Sequence, residues 1–334
     1  MSAAPRILLT HTPDMRHNYY GAHALSGLLA LGDVVLHEGD EPLDTPALIK
    51  AAQRCQIIVA DRATPCTAEL FAALPGLVSV SRVAIDIRNI DVASASAHGV
   101  LVTHASRSWV AAVSELAIGL LIDAARGVSR ANVAYKTGTA PEVGMGRQLA
   151  GATAGIIGYG HLGRRVSELA LAFGMKVLVN DPYVTVDRGD LEQVTLEVLL
   201  ARADFVLPLA VATDETEKLI GPAQLALMQR HAFLVNLSRG NLIDEAALEA
   251  ALDAGRIAGV AMDVGRAPDQ MPSPQLAARD DVVATPHIGG LTMPAIEGQA
   301  LETVAQVGEI VKGRAPAGSV NADRADRLRQ LALG

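Results

Sequence analysis

Ala154-Gly155-Ile156-Ile157-Gly158-Tyr159-Gly160-His161-Leu162-Gly163 is an apolar run that feeds a turn with glycines at 158, 160 and 163. A helical pattern continues to about Gly174, and a second apolar run, Val177-Leu178-Val179-Asn180, ends on Asp181. Each glycine has its own task in a strand–turn–helix unit that grips a dinucleotide. Gly158 permits the tight turn, Gly160 lets the backbone approach a pyrophosphate, and Gly163 lets the helix pack close to the strand. The phosphates would rest on the unpaired N–H groups at the helix start, around His161 and Leu162. Asp181 is placed to accept hydrogen bonds from a ribose 2′-OH and to repel a 2′-phosphate, which selects NAD over NADP. A glycine triplet alone is a weak signal in a chain with 30 glycines. Strand, triplet, helix, strand and acid in this order make a much stronger one.

Outward from this unit, the chain is 334 residues long, which suggests two domains. Half of the residues are hydrophobic but only 3% are aromatic, so the cores must be built from Ala, Val, Leu and Ile. A net charge of −8 with no basic block argues against nucleic acid and membrane surfaces as partners. Cys55 and Cys66 are too few for a disulfide framework or a structural zinc site, and no metal is expected. The N-terminus lacks a secretory pattern, and no apolar run approaches the roughly 18 residues of a membrane span. A soluble cytoplasmic protein is the expectation.

Upstream, short apolar runs at Ile7–Thr10, Val34–Leu36, Ile57–Ala60, Leu77–Val80 and Val100–Thr103 alternate with helical patterns. Downstream, Phe205–Leu207, Phe233–Asn236, Ile257–Ala261 and Val282–Ala284 do the same. Such alternation implies α/β architecture, with parallel sheets covered by helices on both faces and ligands bound beyond the C-terminal strand ends. Two upstream loops fall there: His11-Thr12-Pro13-Asp14, and Ser81 to Asp91. Trp109 to about Arg126 reads as one long helix spanning two domains, and Thr137 to Gly151 as a looser connection. A last helix from Pro294 to about Lys312 precedes a polar tail expected to be loosely ordered.

Three side chains follow strands on the edge that carries the glycine turn. Arg239, in Asn236-Leu237-Ser238-Arg239-Gly240, offers a bidentate fork for a carboxylate; taken alone it also reads as a surface arginine beside a turn glycine. Asp263 follows the next strand and alone reads equally as a cap. His287, in Thr285-Pro286-His287-Ile288-Gly289-Gly290, can give or take a proton near neutral pH, as interconversion of a carbonyl and an alcohol requires. Their shared placement favours a functional reading.

With these motifs assembled, nearly the whole chain resembles the D-isomer-specific 2-hydroxyacid dehydrogenases. The likeness rests on residues 158–163, Asn236–Gly240, Ala261-Met262-Asp263-Val264 and Thr285–Gly290, with Ile257-Ala258-Gly259 and Val113-Ser114-Glu115 in support. It implies two Rossmann-like or flavodoxin-like parallel-sheet domains with a cleft between them. The substrate domain would be discontinuous (1–103 and 290–334), the NAD-binding domain would span 104–289, and the protein would be a homodimer. By the same resemblance Arg239 would bind and polarise a 2-oxo or 2-hydroxy acid and His287 would be the acid/base. Asp263 would meet the nicotinamide end of the cofactor. Ala210, Leu237, Ser238 and Gly289, at strand ends on the same edge, complete the expected NAD contacts. Ala84, Ile85 and Asp86 are the expected substrate loop.

The chain also departs from the family pattern. The glutamate that pairs with the catalytic histidine is replaced by Pro268, and Asp269 is the nearest carboxylate that could substitute after a modest loop shift. Without a carboxylate the imidazolium form is less favoured, so ketone reduction would need more acidic conditions. The small-residue, glycine-rich substrate turn is replaced by Arg82-Val83-Ala84-Ile85-Asp86-Ile87-Arg88. There Asp86 would repel a carboxylate unless it turns away or pairs with Arg88. Leu207-Pro208-Leu209-Ala210-Val211 lacks the usual His-x-Pro, so the substrate could be atypical. His11, His17, Tyr19 and Tyr20 cluster near the first strand's end and read as specificity residues or plain surface loop. An NAD(H)-sensing or corepressor-like protein with weak turnover is the alternative function, and a redox-neutral enzyme with tightly held NAD is a third.

Overall fold

The computed structural model describes residues 4–332. They divide into two compact units, one formed by residues up to 108 together with 292 onward, the other by 109–291.

The first unit is built on β1 (Arg6–Leu9), β2 (Asp33–Leu36), β3 (Ile57–Ala60), β4 (Ser79–Arg82) and β5 (Leu101–His104). They form one parallel sheet in the order β2-β1-β3-β4-β5. This is the flavodoxin-like order, whose reversal of direction falls between β1 and β3. Successive residues face opposite layers: Leu8, Ile58, Val80 and Val102 enter one core, and Ile7, Leu9, Ile57, Val59 and Leu101 the other. Because both faces are covered, β3 reads as an unbroken apolar run and β1 nearly so, whereas β4 is equally buried but carries Ser79, Ser81 and Arg82. Two of its helices are started by side-chain caps followed closely by proline: Thr12 accepts from Met15 N–H before Pro13–Tyr19, and Asp44 from Ala47 N–H before Thr45–Ala51.

The second unit contains β6 (Thr153–Ile157), β7 (Lys176–Asn180), β8 (Glu192–Gln193), β9 (Phe205–Pro208), β10 (Phe233–Asn236), β11 (Gly259–Met262) and β12 (Val282–Ala284). Its parallel sheet runs β12-β11-β10-β9-β6-β7-β8. Counted from β6, this is the doubly wound dinucleotide-binding order extended by one strand, with the switch point between β6 and β9. The helix Val110–Arg126 lies wholly in this unit, where Val113, Ala117, Leu120 and Leu121 join the core made by Ile156, Val179, Leu207 and Val235. It therefore does not span two domains, contrary to the sequence reading. Gly127, with φ +64°, ends it, and a second helix, Val128–Lys136, follows with no buried residue.

Three strands start later than their hydrophobicity suggests. β4 begins at Ser79, β5 at Leu101 and β11 at Gly259, because Leu77 N–H closes a turn on Leu74, Val100 N–H closes one on Ala95, and Ala258 precedes the paired segment. Apolarity marks burial; hydrogen-bond register marks the strand.

The C-terminal tail is not loose from Gly318 to Arg327. Val320 N–H donates to Val102 C=O, His104 N–H to Gly318 C=O, and Val102 N–H to the Asn321 side chain at 2.8 Å. Asn321 Nδ2 returns a bond to Val100 C=O, and Arg327 Nη1 donates to Leu74 and Leu77 carbonyls. β5 is an edge strand with unpaired main-chain groups, and the tail satisfies them. Its polarity reflects hydrogen bonding to that edge.

Candidate active site

The three motif glycines of the second unit have three different surroundings. Gly158 has φ +97°, and a Cβ there would come within 2.7 Å of the Ala210 backbone at the end of β9. At Gly163 a Cβ would overlap the Gly158 carbonyl, so only glycine lets the helix His161–Ala172 sit this close to β6. Gly160 has nothing within 4 Å of its missing Cβ and is exposed. It is the N-cap of that helix and provides no side-chain cap, so the first-turn N–H groups of His161 and Leu162 are left for an anion. A turn, a packing contact and an open uncapped helix end together fit a pyrophosphate.

Asp181 directly follows β7. Its Oδ2 accepts from Tyr159 N–H at 2.7 Å, and its Oδ1 from Tyr183 and Val184 N–H at 2.8 and 3.0 Å. These bonds fix the carboxylate beside the glycine turn. Tyr159 is buried, and the Arg164 guanidinium lies 4.5 Å from its ring centre.

Across the other half of the sheet, register decides what meets. Asn236, Met262 and Ala284 are aligned partners on β10, β11 and β12, so Arg239, Asp263 and His287 leave the sheet at nearly one level. Asn236 is fully buried and clamps its own turn: Oδ1 accepts from Ser238 N–H, and Nδ2 donates to Arg239 C=O at 2.9 Å. Ser238 Oγ donates to Ala210 C=O, joining the β10 loop to the β9 loop. Leu237 packs inward at 5% exposure. Arg239 is half-buried, and its Nη1 donates to Ser238 C=O. At Gly240 a Cβ would overlap the Gly265 backbone, so two loops touch through glycine alone.

Asp263 is 1% exposed, and its oxygens accept from Thr285 Oγ1 at 2.6 Å, Ile288 N–H at 2.8 Å and Gly289 N–H at 2.8 Å. It anchors the loop that carries His287. The capping alternative thus describes its observed bonds. His287 is half-buried with φ +54°, and its Nδ1 lies 2.7 Å from the Asp269 main-chain carbonyl oxygen. Asp269 does reach the histidine, but this contact is made by the main chain. Asn236, Thr285 and the Asp269 carbonyl were not singled out from sequence. An Asn two residues before a Ser is a recognisable Asx-turn signal, whereas a main-chain acceptor leaves none.

The family model for the NAD binding domain of D-isomer specific 2-hydroxyacid dehydrogenases matches residues 118–289. The chain belongs to that family. It is an NAD-dependent oxidoreductase acting on the CH–OH group of 2-hydroxy acids. It is 33% identical over 270 residues to a hydroxypyruvate reductase of Thermotoga maritima, covering 80% of this chain and 88% of that one. It is 35% identical over 276 residues to the D-3-phosphoglycerate dehydrogenase of Mycobacterium tuberculosis, covering 81% of this chain and 52% of that one. It spans about half the length of that curated relative. Among solved structures, the TT0316 protein of Thermus thermophilus superposes with a TM-score of 0.83 at 30% identity over 94% of this chain and 99% of that one. D-2-hydroxyisocaproate dehydrogenase superposes at 0.84 with 22% identity over 95% and 99%, a likeness of fold.

In this dehydrogenase the substrate-loop expectation falls in the first unit. Ala84, Ile85 and Asp86 are half-buried after β4. Asp86 pairs with Arg88: Nε donates to Oδ1 at 2.9 Å and Nη2 to Oδ2 at 2.6 Å. Burial also rewrites the aromatic cluster. Tyr19 is 45% exposed, but Tyr20 is fully buried and packs edge-on against the buried His11, ring centres 5.2 Å apart. These two are interior groups, not surface loop. Burial lowers His11 to about 4; Asp61 opposes that shift, and the Arg82 and Arg16 charges reinforce it. Burial raises the Asp61 carboxyl, but bonds from Thr10 and Thr64 and the charge of His11 bring it below its ordinary value. Among the described residues no three His, Cys, Asp or Glu side chains converge on a metal position. No helix there is long and apolar enough to cross a membrane.

Proposed function

We propose that the enzyme interconverts a 2-oxo acid and a 2-hydroxy acid, with His287 as proton donor and acceptor and Arg239 as the group that grips carboxylate and carbonyl. NAD(H), when bound, supplies or receives the hydride. Gly158, Gly160, His161, Leu162 and Gly163 would hold its pyrophosphate, and Asp181 its adenosine ribose, which favours NAD over NADP. Ala210, Leu237, Ser238, Asp263 and Gly289 would line the nicotinamide end. Residues 109–291 form the NAD-binding domain in this reading and the other unit the substrate domain, with Ala84, Ile85 and Asp86 touching substrate.

The observation that carries the reading is the common level at which Arg239, Asp263 and His287 leave aligned strands, with the histidine loop tied down by Asp263. In reduction the imidazolium gives its proton to the substrate oxygen; in oxidation neutral His287 takes it back. The Asp86–Arg88 pair and the absence of His-x-Pro before Val211 support an atypical substrate. A homodimer is proposed because exposed apolar side chains gather on one stretch: Val128, Val133, Tyr135, Val143 and Met145. Two free, buried cysteines suit a cytoplasmic location. The test is NADH oxidation against glyoxylate, hydroxypyruvate, pyruvate and bulkier 2-oxo acids, with His287→Ala alongside. Turnover lost in the variant supports the assignment; turnover retained, or NADH bound without any turnover, overturns it.

A further inference from the structure

We infer that the main-chain carbonyl of Asp269, presented by two consecutive left-handed residues, is the group that orients the imidazole of His287. The inference rests on the reading of His287 as the acid/base and deepens it. The segment from Gly265 to Met271 folds back on itself: Gly265 N–H donates to Gln270 C=O at 2.8 Å, Ala267 N–H to Met271 C=O at 3.0 Å, and Met271 N–H to Pro268 C=O at 3.2 Å. Within it Asp269 has φ +57° and Gln270 φ +59°, conformations that L-residues adopt at a cost and that persist when surrounding bonds over-determine them. The product of that turn is a carbonyl oxygen 2.7 Å from His287 Nδ1. The opposite side of the pair is equally fixed, since Asp263 holds Thr285, Ile288 and Gly289 around His287.

A carbonyl oxygen accepts and never donates, so the proton of neutral His287 must sit on Nδ1. The lone pair is then on Nε2, the nitrogen left for substrate. In reduction the hydride that bound NADH would supply forms the C–H bond at C2, the C=O π bond breaks with its pair passing to oxygen, and the Nε2–H bond breaks as its proton forms the new O–H bond. The imidazolium becomes the neutral Nδ1–H form that this carbonyl selects. Oxidation runs the same exchange backwards. Asp269 is thus a positioning residue that acts through its backbone. A neutral dipole fixes the tautomer here without requiring a carboxylate for that task.

The test is nitrogen NMR on the full-length, cofactor-free protein labelled with 15N-histidine, with the His287 signals assigned by their loss in His287→Gln. The expected result is a neutral ring protonated at Nδ1 by at least about tenfold over Nε2, both in the unmodified protein and in Asp269→Asn, which keeps the carbonyl. A neutral ring protonated at Nε2, or a mixture, overturns the inference. So does a preference that vanishes in Asp269→Asn, because the side chain would then be the partner. The measurement needs no turnover. If His287→Gln still reduces 2-oxo acids, the functional reading fails while the tautomer result stands; if turnover is lost but the ring is Nε2–H, only this inference fails.

Discussion

The two sheets end differently at their C-terminal edges, although both are parallel and both reverse order at one point. In the second unit the switch point is open. Gly160 has no neighbours around its missing Cβ, and the acids along that edge, Asp181 after β7 and Asp263 after β11, accept from loop N–H groups and, for Asp263, the Thr285 hydroxyl. In the first unit the corresponding point, after β1 and β3, is filled. His11 and Tyr20 are buried against each other, with His11 Nδ1 and the Tyr20 hydroxyl lacking a hydrogen-bond partner among the described residues. One edge keeps the uncapped N–H groups of a helix start open, as the proposed binding of NAD through its phosphates requires. The other has traded space for side-chain volume, which burial makes costly to charge.

If that contrast is right, the largest effect lies at the open edge. His287→Gln should lower the rate of 2-oxo acid reduction by about 10²–10⁴-fold, with a melting temperature close to that of the unmodified protein. Equal losses of rate and stability would make the histidine structural.

The filled edge should be visible in stability rather than turnover. His11 is lowered to about 4 in the folded state, whereas an unfolded chain keeps 6.5. The unfolded state therefore binds more protons between these values, and folding stability should fall as pH drops from 6.5 towards 4, then level off. At most about 3 kcal/mol is involved. Denaturant midpoints across that range should follow this limb in the unmodified protein, and His11→Asn should flatten it. A limb equally steep in the variant would show that His11 is not its source.

Within the open edge, two glycines sharpen the comparison further. Gly163→Ala overlaps the Gly158 carbonyl and should cost about 1–3 kcal/mol. Gly160→Ala meets nothing and should weaken NADH binding by fluorescence titration while shifting the denaturant midpoint far less. The smallest effect should come from Arg88→Ala. Its guanidinium is largely exposed, so losing the pair with Asp86 should move stability by less than about 1 kcal/mol. A larger shift would mean that the loop after β4 is held as rigidly as the His287 loop.

Sequence alone determined the strand–helix alternation, the glycine turn with Asp181, and Arg239, Asp263 and His287 as strand-end residues. These are local patterns: a parallel strand covered on both faces is mostly apolar, and a dinucleotide-binding turn needs its glycines at fixed spacing. Only tertiary structure decided that the polar tail seals β5, that Tyr20 and His11 are interior, and that Asp269 meets His287 through its main chain. Each of these joins residues distant in the chain or uses a backbone group that every residue possesses. Residue type carries no record of which carbonyl a fold will turn toward an imidazole.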